Sequence, residues 1–260
     1  MPINDDRVIQ AIAEGELTAD NISFDKIVGF RKNHELWRTL GRGRAVLSTT
    51  EQLDQYLYSY GRMIKSHCQG VLERIKAPTK SVQIIDYGCG QGLATAFLID
   101  HFGVQNIDKV KKIVLIEKSP VALQRAEAVT KCYSNQIDVI GINKDLSDVT
   151  PDELQGGRSI TTFHIFSNVL DIEGFNQVEL FRKLVQSPGK HVICAVGHHR
   201  GSRGGTPRIQ SCMAFLDEIG SLDGFKLKTN EAWSFQWDES HDSKLAVGWC
   251  AEIKVTDGSI

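Results

Sequence analysis

Ile84-Ile85-Asp86-Tyr87-Gly88-Cys89-Gly90-Gln91-Gly92 is the stretch on which the fold turns. An apolar run ends in a carboxylate, and three glycines follow at alternate positions. Glycine there lets the chain turn sharply and lets a ligand approach the backbone with no Cβ in the way. Leu93, Ala96 and Phe97 then recur at helical spacing up to Gly103. The turn therefore opens into a helix whose N-terminus offers free N–H groups and a positive dipole end. The spacing excludes two familiar phosphate loops. A dinucleotide loop reads G-x-G-x-x-G, whereas the residue three after Gly90 is Leu93, and no Gly-Lys-Ser/Thr follows as in a Walker loop. A carboxylate just ahead of the glycines is a poor neighbour for pyrophosphate and suits a cationic ligand.

Outward from this turn, strands and helices alternate. Ser81–Asp86 is the first strand and Lys112–Glu117 the second. Ser119-Pro120 opens the next helix as cap and first-turn proline, with Leu123 and Ala126 facing inward. Gln136–Ile142 and Ile160–Phe166 read as the third and fourth strands. A helix near 175–186 stops at Ser187-Pro188-Gly189; His191–Val196 is a fifth strand and Ile209–Ile219 a further helix. Two late extended segments, 225–236 and 244–255, joined by the polar run Asp238-Glu239-Ser240-His241-Asp242, read as an antiparallel hairpin. Strands alternating with helices imply right-handed βαβ units in a mainly parallel sheet. Ligands bind such sheets beyond the carboxyl ends of the strands.

Ahead of Pro78 the pattern is helical. Leu53, Tyr56, Leu57, Tyr60, Ile64, Val71, Leu72 and Ile75 keep helical spacing over 50–76, and Ser48 with Glu51 has capping-box spacing. A weaker helix over 5–14 carries Val8, Ile9 and Ile12 on one face. Residues 26–44 are basic, with Lys26, Arg31, Lys32, Arg38, Arg42 and Arg44, and include the loop Gly41-Arg42-Gly43-Arg44. The expected organisation is a helical cap over 1–78 and an α/β domain over 79–260, a Rossmann-like seven-stranded sheet with helices on both faces.

Composition sets outer bounds. In 260 residues, 30 Lys+Arg stand against 32 Asp+Glu, a formal net charge of −2 that excludes a globally basic nucleic-acid binder while leaving room for a local basic patch. No apolar run is long enough to span a membrane, and the acidic start Met1-Pro2-Ile3-Asn4-Asp5-Asp6 lacks the features of a secretory signal. The expected location is cytoplasmic. Cys68, Cys89, Cys132, Cys194, Cys212 and Cys250 are scattered without CxxC spacing, so buried free thiols are expected and no metal site is.

Asp86-x-Gly88-x-Gly90-x-Gly92 after an apolar strand resembles motif I of the class I S-adenosylmethionine-dependent methyltransferases, and a looser similarity runs from about 80 to 255. The resemblance implies that Glu117, ending the second strand, binds the ribose hydroxyls of the donor, and that Asp145 with the Leu146 backbone meets the adenine. It also implies that the late hairpin supplies the sixth and seventh strands. Donor contacts are thereby expected at Asp86, Gly88, Cys89, Gly90, Gly92, Glu117, Lys118, Asp145, Leu146 and Ser167. The chemistry is consistent with this. A carboxylate accepts both hydroxyls of a cis-diol. Carbonyls of the turn and Asp86 suit the ammonium end, and Ile116 and Leu146 suit the adenine faces. Cys89 reads as a small filler of the turn, since no partner base is evident nearby.

The chain also departs from that family. The middle of the fourth strand holds His164 where an acid is frequent, and Ser167-Asn168 stands where the Asn-Pro-Pro-Tyr motif of amino-group methyltransferases would begin. Asn168 and, in the loop Gly197–Arg208 after the fifth strand, His198 are the candidates for the acceptor side. His199 is a weaker one, and Tyr56, Tyr60 and Arg62 would close the pocket from the cap. The basic segments suggest an anionic acceptor, whether small molecule, nucleic acid or protein. The expected activity is methyl transfer from S-adenosylmethionine to an unidentified acceptor. The alternative is an inactive binding or assembly module that keeps the fold.

Overall fold

The computed structural model describes residues 5–200, 205–238 and 244–256. Among the described residues seven strands form one sheet: β1 (Val82–Tyr87), β2 (Val110–Ile116), β3 (Asp138–Ile142), β4 (Thr161–Ser167), β5 (Gly189–His198), β6 (Phe225–Gln236) and β7 (Leu245–Val255). Their order is β3-β2-β1-β4-β5-β7-β6. The first five pair in parallel, and β7 runs antiparallel to both β5 and β6. Every residue of β1 is buried, the signature of a central parallel strand covered on both faces. The sheet order reverses at β1, with β4 on its other side, so a crevice opens there beyond the strand ends.

The α-helices of the described residues are α1 (Arg7–Ala13), α2 (Phe24–Gly29), α3 (Thr50–Leu72), α4 (Leu93–Phe102), α5 (Pro120–Tyr133), α6 (Gln177–Leu184) and α7 (Gly205–Ile219). The first five bury their apolar residues against one sheet face, in a cluster running from Val8 and Phe24 to Leu98 and Ile113. The last two cover the other face with Phe181, Leu184, Cys212 and Leu216. Residues of α1 and α2 thus share a core with α4 and α5.

Local chemistry sets several boundaries. Thr49, not Ser48, caps α3: its hydroxyl accepts from Gln52 N, while the Gln52 side chain accepts from Ser48 N. The Ser48–Glu51 capping box is therefore not formed. Ser119 caps α5 through Ala122 N, its hydroxyl donates to Leu47 O, and Pro120 occupies the first turn as expected. The hairpin β6–β7 lies on the far half of α3, where Phe235 packs over Gly70 and the Arg74 guanidinium stacks on Trp233 at 3.8 Å. All six cysteines are free thiols. Among the described residues no helix is long and apolar enough to cross a membrane. Glu239, Ser240, His241 and Asp242 of the hairpin connection, and Arg203 of the loop after β5, lie outside the described residues.

Candidate active site

A crevice with an open volume of about 820 Å³ lies at the carboxyl ends of β1, β2 and β4. Its floor is Gly88 and Gly90 of the glycine turn, and one wall is Ile116, Glu117, Lys118 and Ser119. Asp145 and Leu146 bound it beyond β3, and Ser167 and Asn168 after β4. The segment Gly43–Leu47 and Tyr56 of α3 close it from the N-terminal side.

Glu117 is the best-held group in it. Its two carboxylate oxygens accept from Gly90 N at 3.1 Å and from Ser119 N at 2.8 Å. Burial pushes its pKa up, and those two N–H groups oppose the push. Each oxygen keeps a free lone pair. Asp145 is more exposed. The Ser147 N–H, then Lys118, hold its pKa down; Lys118 Nζ lies 3.3 Å from its Oδ2. Apolar Ile116 and Leu146 share the crevice with these acids. Tyr56 stands with its phenol pKa raised by burial, its ring 4.9 Å from that of Tyr60.

Other expected residues fall elsewhere. Asp86 is 1% exposed and does not line the crevice. Its Oδ2 accepts from the Thr95 hydroxyl at 2.7 Å, and burial raises its pKa to about 7. It braces the turn from behind against the start of α4, rather than presenting a charge to a ligand. Cys89 and Gly92 also lie outside the lining; Cys89 is buried with its thiol pKa pushed up, which agrees with a filler. Gly92 has φ +79°, and a Cβ there would meet the α5 backbone at Ala126 Cα at 3.2 Å.

Asn168 lines the crevice and adopts φ +57°, a left-handed conformation that Asn tolerates. Its Oδ1 meets His67 Nδ1 at 2.8 Å. His198 does not line the crevice. It packs in a cluster behind Asn168, its ring 5.2 Å from His67 and 6.2 Å from Trp237. Burial lowers its pKa first, then the charges of Arg200 and Arg44, while Asp171 opposes them. Arg44 of the first basic segment and Arg200 of the loop after β5 therefore both act on His198. His67 and Trp237 had no place in the sequence expectation. The available signal for His67 was its position about three helical turns beyond Tyr56 on the same face of α3.

His164 belongs to a closed chain. Tyr87 OH meets His164 Nδ1 at 3.0 Å, His164 Nε2 meets His191 Nδ1 at 2.9 Å, and His191 Nε2 donates to Ser187 O at 2.8 Å. That last carbonyl fixes every tautomer back along the chain, ending with Tyr87 donating. Both histidines are buried and their pKa values are lowered by burial. They tie β1, β4 and β5 together across the middle of the sheet, far from acid–base work in the crevice.

The late hairpin supplies the sixth and seventh strands, as the motif resemblance implies, and the structure adds that β7 enters antiparallel between β5 and β6. The fold is Rossmann-like, a seven-stranded and mainly parallel sheet. No family model and no curated protein matches the chain. Among solved structures, a SAM-dependent methyltransferase from Aquifex aeolicus is similar at 13% identity over 74% of this chain and 92% of its own, with a TM-score of 0.44. TYW2 of M. jannaschii in complex with AdoMet is similar at 15% identity over 74% and 77%, with a TM-score of 0.45. Magnesium protoporphyrin IX methyltransferase from Synechocystis PCC 6803, with bound SAM, is similar at 13% identity over 89% and 98%, with a TM-score of 0.41. These overlaps are too loose to carry function, which rests on the residues of the crevice itself.

Proposed function

We propose that the crevice binds S-adenosylmethionine and that the protein transfers its methyl group to an acceptor entering beside Asn168. The observation that carries this reading is Glu117: a carboxylate clamped by Gly90 N and Ser119 N at the tip of β2, with lone pairs to spare beside the apolar pair Ile116 and Leu146. That combination fits a ribose diol and the adenine attached to it. Asp145 or the Leu146 backbone accepts from the adenine amine. Carbonyls of the turn and the Ser167–Asn168 segment receive the ammonium end, a task that Asp86 leaves to them by facing Thr95.

When bound, the donor supplies an already activated methyl carbon. The chain's own work is alignment and exclusion of water, which yields several powers of ten in rate. Tyr56 and the segment Gly43–Leu47 shield the crevice, so the residues ahead of 79 serve as its cover. Arg200 and the Arg44–Asp171 ion pair, at 3.8 Å, all act on His198, which leaves one net positive charge at the acceptor side and suits an acceptor that carries negative charge.

Calorimetry with S-adenosylmethionine and S-adenosylhomocysteine, followed by transfer of a labelled methyl group into fractionated cell extract, tests the reading. Binding of both and labelling of one fraction supports it. Binding without labelling points to an inactive module with this fold, and failure of either ligand to bind removes the proposal.

A further inference from the structure

Next to the side chain of Asn168, itself part of the crevice lining, three rings make a cage. The His67 and His198 ring centres are 5.2 Å apart at 78°, and those of His67 and Trp237 are 5.4 Å apart at 87°. His67 lies on α3, His198 ends β5, and Trp237 follows the last residue of β6. Two polar atoms of this cage, His67 Nε2 and Trp237 Nε1, are shielded from solvent and have no hydrogen-bond partner. Leaving a buried polar atom unpaired leaves its desolvation cost uncompensated, so two in one cluster are unusual unless something pairs them.

Their hydrogen-bonding characters are opposite. Asn168 Nδ2 donates to Ser167 Oγ at 3.3 Å, which leaves Oδ1 facing His67. His67 Nδ1 therefore carries the proton, and Nε2 presents a lone pair. Trp237 Nε1 can only donate. Burial holds the His67 pKa at about 4, so the lone pair is present at neutral pH.

We propose that this cage is the acceptor subsite, and that it takes a planar nitrogen heterocycle presenting an N–H to His67 Nε2 and an adjacent ring lone pair to the Trp237 N–H. This rests on the methyl-transfer reading only in calling the ligand an acceptor. The Trp237 indole, just beyond the end of β6, swings away from His67 to admit the ring, and the His198 edge packs on its face. Asn168 links the two halves of the site: it lines the donor crevice, and its side chain sets the His67 tautomer. His67 accepts a hydrogen bond and orients the acceptor. Its low basicity suits that role and not the removal of a proton in advance of methyl transfer.

The test uses 2-aminopyridine, which carries the required pair of groups, with pyridine and aniline as probes carrying one each. Nitrogen-correlated NMR on the whole protein near pH 8 follows the Trp237 indole N–H and the His67 ring nitrogens. The expected result is saturable shifts of both signals by 2-aminopyridine at low millimolar concentration, with at least about tenfold weaker effects from pyridine and aniline. Trp237→Phe, which keeps an aromatic ring and loses the donor, and His67→Phe should each weaken 2-aminopyridine at least about tenfold. No shift in the wild type at about 10 mM, or equal binding by the Trp237→Phe variant, overturns the proposal. Calorimetry with S-adenosylhomocysteine on the same samples separates the two ideas. Heterocycle binding without nucleoside binding removes the donor reading and keeps the cage, and the reverse removes the cage and keeps the donor.

Discussion

Replacing Arg125 by Met should unpin α1 and α3 from the glycine turn. Arg125, on α5, is fully buried and divides its guanidinium among three partners. Its Nε donates to Asp6 at 2.7 Å, Nη2 to Asp54 at 2.9 Å and Nη1 to the Gln91 side-chain oxygen at 2.9 Å. Asp6 caps α1, Asp54 lies on α3, and Gln91 sits within the glycine turn and donates onward to Leu53 O. The methionine would leave two buried carboxylates without their cation. Breaking such a pair from one side costs about 3–5 kcal/mol, because the orphaned charge stays buried. At roughly 2–4 °C per kcal/mol for a chain of this size, the melting temperature should fall by about 6–20 °C. Urea unfolding gives the free energy directly. The triple variant Asp6→Asn, Asp54→Asn, Arg125→Met removes the charges together and should recover at least about half of the loss. A single-variant loss below about 1 kcal/mol, or a triple variant worse than the single, would refute the argument that these ions are mutually compensated.

Three further outcomes follow from the same geometry. Asp86→Asn keeps a side-chain oxygen for Thr95 and should change the affinity for S-adenosylhomocysteine by less than about threefold in calorimetry. A loss beyond about tenfold would put Asp86 in direct contact with the ligand. His164, His191 and His67 have pKa values lowered in the folded state, so the unfolded chain binds more protons below about pH 6.5. Their contribution is complete above that pH and is lost as the pH falls toward the folded values, with a limiting slope of about 1.4 kcal/mol per pH unit for each histidine. Asp86, raised to about 7, opposes this between about pH 4 and 7 by favouring the folded state at the acid end. Chemical denaturation from pH 7.5 down to 5 should show a net loss that shrinks by at least about 1 kcal/mol in the His164→Phe, His191→Phe double variant. Gly92→Ala forces an L-residue into φ +79° with its Cβ against the α5 backbone, and should cost about 1–3 kcal/mol by the same denaturation assay.

The β-strands were legible because buried parallel strands are short apolar runs, and because Asp86 and Glu117 fall within a residue of the ends of two of them. The hairpin was legible from its two long extended segments and the polar run between them. The depth of each acid was not legible. Asp86 and Glu117 look alike in sequence, yet Thr95, nine positions along and on the inner face of α4, claims Asp86 and leaves Glu117 facing the crevice. Periodicity marks an inner face without saying what shares it. It therefore marked the apolar stripe of α3 but passed over His67, whose partners Asn168, His198 and Trp237 come from three distant loops and strand ends. His164 stands opposite Ile193 in the parallel pairing of β4 with β5, so His191 is its neighbour two residues along the same face. No local pattern encodes that register. Asp6 and Arg125 lie far apart in the chain and each reads alone as a surface charge.

A crystal structure of the protein grown with S-adenosylhomocysteine tests the central claim most directly. The expected result is density in the crevice, with both ribose hydroxyls on the Glu117 carboxylate and the adenine between Ile116 and Leu146. Density elsewhere, or a ribose turned away from Glu117 toward solvent, would contradict it.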